Sequence, residues 1–139
     1  MTGTMSEKEE VMLRRALAAR ERAYAPYSGY RVGACLEEAG GEFFCGCNVE
    51  NASYPEGACA ETGALSAMVA GGGQRIRSLL LVAEGERLCT PCGGCRQRLA
   101  EFAEADTPVL VCGPEGLRAR FTLGELLPQA FGLPEEERR

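Results

Sequence analysis

Cys59, Glu61, Cys92 and Cys95 are the residues of this chain whose types and spacing could hold a metal and move protons. Cys92 and Cys95 lie three apart in Pro91-Cys92-Gly93-Gly94-Cys95. At the start of a helix that spacing puts both sulfurs on one face, with Cβ atoms roughly 5–6 Å apart. Cys59 and Glu61 are two apart, which on a regular helix separates them by roughly 200° around the axis. They converge if Cys59 sits at the helix entrance, where the backbone is still extended, and Glu61 lies in the first turn. A helix N-terminus also favours a thiolate, through its free amides and the positive end of the dipole.

A structural zinc site is filled by four protein ligands, whereas a catalytic one keeps a position for water. The chain contains no histidine, so a zinc here rests on cysteine or carboxylate, and three thiolates plus one water is the simplest set. Water on such an ion can ionise with a pKa of roughly 7, supplying a hydroxide nucleophile. A carboxylate beside it that does not ligate, Glu61, could take the proton and hand it on. Cys89 extends the pair to a C-x-x-C-x-x-C run like the opening of an iron–sulfur motif, but a properly spaced fourth cysteine is missing. Cys35, Cys45, Cys47 and Cys112 fall in or beside β-prone apolar runs and read as small buried hydrophobes.

The 139 residues fit one domain, 1–139, and folding such a chain should bury roughly 68% of its unfolded surface. The formal net charge is -5 and Lys8 is the only lysine. That surface lacks the cationic field needed to neutralise phosphates, which argues against nucleic acid and suits a small free ligand. The N-terminal ten residues are polar and acidic, without the pattern of a secretory signal. No apolar stretch approaches the roughly 20 residues of a membrane span. The expectation is a cytoplasmic protein in a reducing compartment, where cysteine clusters mean metal or catalysis more often than disulfides.

Positioning the four residues requires a scaffold, and the sequence outlines one. Ser6 to Ala23 is rich in helix formers, with Ser6 as N-cap, Glu9 at the capping-box position, a stripe including Leu13 and Leu17, and Pro26 beyond its end. Arg31 to Glu38 and Glu42 to Asn48 flank Ala39-Gly40-Gly41 and read as a hairpin. Asn48 to Gly57 reads as loop. Cys59 to Ala70 reads as a buried helix stopped by Gly71-Gly72-Gly73, and Ile76 to Ala83 as a strand covered on both faces. Gly93 to Ala103 is the next helix, and Pro108 to Cys112 and Leu117 to Thr122 are two more strands. Phe121 to Leu133 gives a short helix and an apolar tail, and 134–139 a frayed end. This alternation predicts an α/β fold, a mixed five-stranded sheet with helices on both faces.

Taken in order, several stretches carry a resemblance: Tyr24-Ala25-Pro26-Tyr27-Ser28, Val32-Gly33-Ala34, Gly46-Cys47-Asn48-Val49-Glu50-Asn51-Ala52, Cys59-Ala60-Glu61, Pro91-Cys92-Gly93-Gly94-Cys95-Arg96-Gln97 and Glu125-Leu126-Leu127-Pro128. From about Tyr24 to Phe131 the chain resembles the zinc-dependent nucleoside deaminases, and closely resembles the small homotetrameric cytidine deaminases. The resemblance implies a three-layer α-β-α sandwich and one Zn²⁺ per subunit on Cys59, Cys92 and Cys95, with Glu61 as proton shuttle. It implies hydrolytic deamination of cytidine and 2′-deoxycytidine in pyrimidine salvage, by a homotetramer whose active sites are shared between subunits. Asn48 and Glu50 are then the residues that hold the ribose, and Tyr30 stacks on the base. Ala52 and Tyr54 correspond to family residues that meet substrate across a subunit boundary, and Phe131 reaches a neighbouring subunit's pocket.

Two positions depart from the family pattern. Tyr30 stands where phenylalanine is commoner, which keeps the aromatic face. Thr62 stands where many three-cysteine members carry an arginine that moderates the thiolate charge. Three thiolates on Zn²⁺ leave a formal charge of -1 that opposes ionisation of the water; two helix N-termini and a Thr62 hydrogen bond are the candidate compensations. The alternatives are a guanidino-nucleoside antibiotic deaminase of the blasticidin type, a noncatalytic zinc-stabilised binding domain, and a thiol redox protein using Cys92 and Cys95. The intact Asn48-x-Glu50 pair favours an ordinary ribose.

Overall fold

The computed structural model describes residues 4–134, so the expected frayed end lies, beyond Pro134, outside the described residues. The first helix, α1 (Glu7–Arg20), begins as its sequence dictates: Ser6 Oγ accepts from Glu9 N, and the Glu9 carboxylate accepts from Ser6 N. It stops at Arg20, short of Ala23, because the chain tightens into a turn in which Ala23 N donates to Arg20 O, and Tyr24 N then donates to Asn48 O. Its fully buried stripe is Met12, Ala16 and Arg20, with Leu13 and Leu17 partly buried at its flank. The small residue at the centre has a reason. A Cβ at Gly33 would lie 2.0 Å from Ala16 O, so helix and sheet backbones touch there.

The hairpin β1 (Val32–Glu38) and β2 (Phe43–Cys47) follows, then a 3-10 turn at Tyr54–Glu56 within the expected loop. Next come α2 (Ala60–Ala70), β3 (Ile76–Ala83), α3 (Gly93–Ala100), β4 (Pro108–Gly113), β5 (Gly116–Thr122) and the one-turn α4 (Leu123–Leu126). α3 ends three residues before the expected Ala103 because Phe102 turns to the sheet, where its carbonyl accepts from Ile76 N. α4 is set by a capping box in which Thr122 Oγ1 accepts from Glu125 N and the Glu125 carboxylate accepts from Thr122 N. The five strands run in the order β2-β1-β3-β4-β5. β3 and β4 are parallel and the other pairs antiparallel, so the sheet is mixed, as the alternation predicted.

Two cores follow from the period-two alternation of the strands. Leu80 and Val82 of β3 face α1 together with Cys35, Leu110 and Cys112. Leu79, Leu81 and Ala83 face the other way, toward Ala60, Ala64 and Met68 of α2 and Leu99 of α3. The molecule is thus layered helix, sheet, helix. Leu80 and Leu81 are fully buried on opposite faces, and truncating either to alanine should cost about 2–5 kcal/mol. Two of the buried charged side chains, Glu37 and Arg20, are paired. Glu37, 3% exposed, meets Lys8 Nζ at 2.9 Å and Arg77 at 3.4 Å, and Arg20 reaches Glu84 on the loop after β3 and the carbonyl of Arg31.

Candidate metal centre and active site

The two stretches singled out in the sequence meet at two helix entrances. Cys59 is the N-cap of α2 with extended backbone (φ -77°, ψ 159°), and Cys92 is the N-cap of α3 in the same conformation (φ -68°, ψ 166°). Neither side chain caps its own helix, which leaves both sulfurs free to point at a common centre. Cys95 lies one turn into α3, buried. The sulfurs of Cys59, Cys92 and Cys95 all lie within 4.8 Å of one another, and those of Cys59 and Cys92 are 3.8 Å apart. Tetrahedral zinc with Zn–S bonds of about 2.3 Å separates its sulfurs by about 3.8 Å. The donor set and its spacing therefore fit one Zn²⁺, and among the described residues these three form the only such group of metal-binding side chains.

Each sulfur bears on the ionisation of its neighbours: proximity to Cys95 holds Cys59 below the ordinary thiol range, and proximity to Cys59, with burial, pushes Cys95 well above it. Thr62 Oγ1 approaches Cys95 Sγ at 3.5 Å from the first turn of α2. Glu61, beside it, is 6% exposed, and burial raises its carboxyl above the usual carboxylate value. The neighbouring Cys95 thiol works weakly against that rise. Close packing fixes α2 here: Gly46 of β2 rests against the backbone of Ala60, Gly63 and Ala64.

The loop after β2 is latched beside this centre. Tyr24 N donates to Asn48 O, Glu50 N to Tyr24 O, and Val49 and Ala58 exchange two backbone hydrogen bonds. Asn48 Oδ1 accepts from Val32 N at 2.9 Å and its Nδ2 donates to Tyr30 O at 2.8 Å, so the side chain braces the entry to β1. Glu50 Oε1 accepts from the amides of Tyr27 and Ser28 and Oε2 from the Ser28 hydroxyl, which holds this carboxyl below its usual value. An ionised carboxylate has about four acceptor positions, so one stays open to a ligand, while Asn48 keeps one N–H and one lone pair.

Glu50 and Tyr54 line one cavity of about 330 Å³ together with Tyr27, Ser28, Asn51 and Gly57. Tyr27 and Tyr54 meet edge to face at 6.0 Å. This cavity does not include the sulfurs. Tyr30 is held through its backbone: its amide donates to Ser28 Oγ and its carbonyl accepts from Asn48. Burial, and then the neighbouring Cys89, push the phenol up to about 12. Ala52 is exposed in the loop, Tyr54 is 75% exposed and Phe131 73% exposed. Phe131 is tied through its carbonyl, which accepts from Gln97 Nε2 at 3.0 Å.

Residues with no assigned role in the sequence reading also shape the site. Arg96 Nε donates to Pro91 O at 2.6 Å and its Nη1 to Leu126 O at 2.7 Å, which stitches the turn before Cys92 to α4. Ser28 anchors Glu50. Both sit inside quoted motifs, but nothing local says which carbonyl or carboxylate each will meet.

The description "cytidine and deoxycytidylate deaminase zinc-binding region" matches residues 6–111. The chain is 41% identical over 122 residues to a cytidine deaminase of Halalkalibacterium halodurans, covering 88% of this chain and 92% of that one. It is 42% identical over 126 residues to a cytidine deaminase of Mycobacterium tuberculosis, covering 89% and 91%. The crystal structure of the cytidine deaminase from Burkholderia pseudomallei superposes with a TM-score of 0.83 at 39% identity, over 91% of this chain and all of that one. That from Mycobacterium tuberculosis gives 0.78 at 37%, over 92% of this chain and all of that one. With three sulfurs spaced for zinc, a buried glutamate against them and these likenesses along nearly the whole sequence, the chain belongs to the cytidine and deoxycytidylate deaminase family.

Proposed function

We propose that this chain is a zinc-dependent cytidine deaminase, which hydrolyses cytidine and 2′-deoxycytidine to uridine and 2′-deoxyuridine and releases ammonia. The carrying observation is the trio of sulfurs at zinc spacing with the buried Glu61 carboxylate beside it. Cys59, Cys92 and Cys95 would hold the ion, and zinc bound there supplies a Lewis acid that lowers the pKa of a water molecule.

The remaining chemistry belongs to the side chains. Glu61 takes one proton of the attacking water and delivers it to ring N3, so that oxygen adds at C4; it then takes the second proton from that added oxygen and gives it to the departing amine as the C4–N bond breaks and the C4 carbonyl forms. Burial raises the Glu61 carboxyl above the usual carboxylate value, which makes it the stronger base. Asn48 and Glu50 hold the sugar hydroxyls with the hydrogen-bonding capacity their backbone partners leave over. Tyr30, held through its amide and its carbonyl, offers a flat face to the base.

Ala52, Tyr54 and Phe131 complete the site across a subunit boundary in a homotetramer. The exposure of two large aromatic side chains, Tyr54 and Phe131, supports that role, since each has most of its apolar area available to a neighbour. No helix of the described residues is long and apolar enough to cross a membrane. On this reading the chain works as a single catalytic domain in the cytoplasm, on a free nucleoside.

The test is the absorbance change of cytidine on deamination, measured with protein of known zinc content and repeated on Glu61→Gln. Turnover should fall about 10²–10⁴-fold with zinc content unchanged. Full activity in Glu61→Gln, or none in the zinc-loaded parent, overturns the proposal.

A further inference from the structure

Away from the three site sulfurs, two thiols face each other across the outer pair of strands. Cys35 of β1 and Cys45 of β2 are directly opposed in the antiparallel register. The backbone pattern decides what kind of opposed pair they form. Asn48 N donates to Val32 O and Glu38 N donates to Glu42 O, which marks the positions 32/48 and 38/42 as hydrogen-bonded pairs. Such pairs alternate with non-bonded ones along the ladder, so 34/46 and 36/44 are bonded and 35/45 is not. Residues opposed at a non-bonded position stand about 4.5 Å apart at Cα, within the roughly 4.4–6.8 Å that a disulfide spans.

Both side chains point to the α1 face, beside Met12 and Leu13, near enough for each thiol to shift the ionisation of the other. The two differ in access, Cys35 being buried and Cys45 partly exposed on the edge strand. The neighbouring Cys35, and with it the guanidinium of Arg15, hold Cys45 below the ordinary thiol range against the opposing effect of burial. Arg15 is placed there by its seat 5.4 Å over the Phe43 ring. Low pKa and partial exposure are what make a thiol reactive toward oxidants. Cys47 shares the face but lies opposite Gly33, so it has no thiol across from it.

We propose that Cys35 and Cys45 are a peroxide-reactive dithiol that closes to a cross-strand disulfide, separate from the metal-binding thiolates. The Cys45 thiolate attacks one oxygen of a hydroperoxide; the O–O bond breaks, leaving Cys45 sulfenic acid and an alkoxide or hydroxide. The Cys35 thiol then attacks that sulfur. The S–S bond forms, the S–O bond breaks, and the Cys35 proton leaves with the hydroxyl as water. Two electrons pass from the sulfurs to the peroxide. Because β2 leads straight into Asn48 and Glu50, the bridge would staple the strand that carries the sugar-binding loop.

The experiment treats the zinc-loaded full chain with stoichiometric hydrogen peroxide, alkylates the remaining thiols and digests with an endopeptidase that cuts after glutamate. Cleavage after Glu37, Glu38 and Glu42 separates the two strands. A dithiothreitol-reversible cross-link between them, retained in Cys47→Ser and lost in Cys45→Ser and Cys45→Val, is expected, with zinc content unchanged. In Cys35→Ser, Cys45 should instead stop at the sulfenic acid for want of a resolving thiol, and a second equivalent of peroxide should take it on to the sulfinic acid. A wild-type chain whose cross-link joins Cys59, Cys92 or Cys95, or requires Cys47, or whose Cys45 stays reduced or goes to sulfinic acid under this treatment, overturns the proposal.

Discussion

Thr62 Oγ1 lies 3.5 Å from Cys95 Sγ, so the residue after Glu61 touches the one sulfur of the three that is buried. Hydrogen bonds to a charged group contribute about 1.5–3 kcal/mol, and this one favours the thiolate over the thiol. Metal competes with protons for such a sulfur. Thr62→Val should therefore lose zinc to a chelator at a higher pH than the parent, Thr62→Ser should resemble the parent, and Thr62→Arg should hold zinc to a lower pH. Superimposable pH profiles of zinc retention for the parent and Thr62→Val would remove the assigned role.

Tyr30 and Cys89 lie near enough in the fold for each to shift the ionisation of the other, which points to a hydrogen bond between phenol and sulfur. A net hydrogen bond of about 0.5–1.5 kcal/mol corresponds to a roughly two- to tenfold effect on binding. Cys89→Val and Tyr30→Phe should each raise the KM for cytidine by that order with kcat little changed. The double variant should be no worse than either single one. Strictly additive effects would show that the two side chains do not act through each other.

How much of this could be read from the chain follows the range of the interaction. Ser6 and Glu9 are three apart and announced the start of α1; Cys92 and Cys95 are three apart and announced a metal-binding turn. Cys59 and Glu61 became legible once an N-cap geometry was allowed, and the extended backbone of Cys59 supplies it. The helix ends were legible less well, because α1 and α3 are stopped by bonds from Tyr24 to Asn48 and from Ile76 to Phe102, which local propensity does not contain. The partners of Ser28, Cys89 and Arg96 belong to the same class. Each is a polar group whose target is set only when the sheet brings distant segments together.

Glu9 closes the Ser6 capping box and also takes a two-pronged contact from Arg120 of β5, at 2.6 and 2.7 Å. The Arg120 hydrogen bonds hold its carboxyl below the ordinary carboxylate value, against the opposing effect of partial burial. A depressed folded-state pKa gives stability that is present above the unfolded value and is lost as pH falls through the folded one. The melting temperature of the parent should exceed that of Glu9→Gln at pH 7, and the gap should narrow below pH about 4.5 and close in stronger acid. Thermal melts by circular dichroism at constant ionic strength measure it. A gap that is constant across that range would mean that the charge of Glu9 is not what joins α1 to β5.

Gly46 is the point where the sheet carries the site, because β2 and α2 meet there backbone to backbone. A Cβ at Gly46 would lie 2.3 Å from Ala64 N, 2.4 Å from Ala60 O and 2.8 Å from the Gly63 carbonyl carbon, and none of these is the end of a flexible side chain. Gly46→Ala must push α2 outward, and α2 carries Cys59 at its cap and Glu61 in its first turn, while Cys92 and Cys95 stay with α3. Overpacking of this kind costs about 1–3 kcal/mol. The variant should melt lower, retain less zinc after dialysis and turn over cytidine more slowly even well below its melting temperature. Gly93→Ala is the control for stability, since a methyl there meets nothing within 4 Å and alanine is the better helix former. If Gly46→Ala keeps the parent's melting temperature, zinc content and turnover, then the seat of α2 on β2 is not what holds the two halves of the site at their distance.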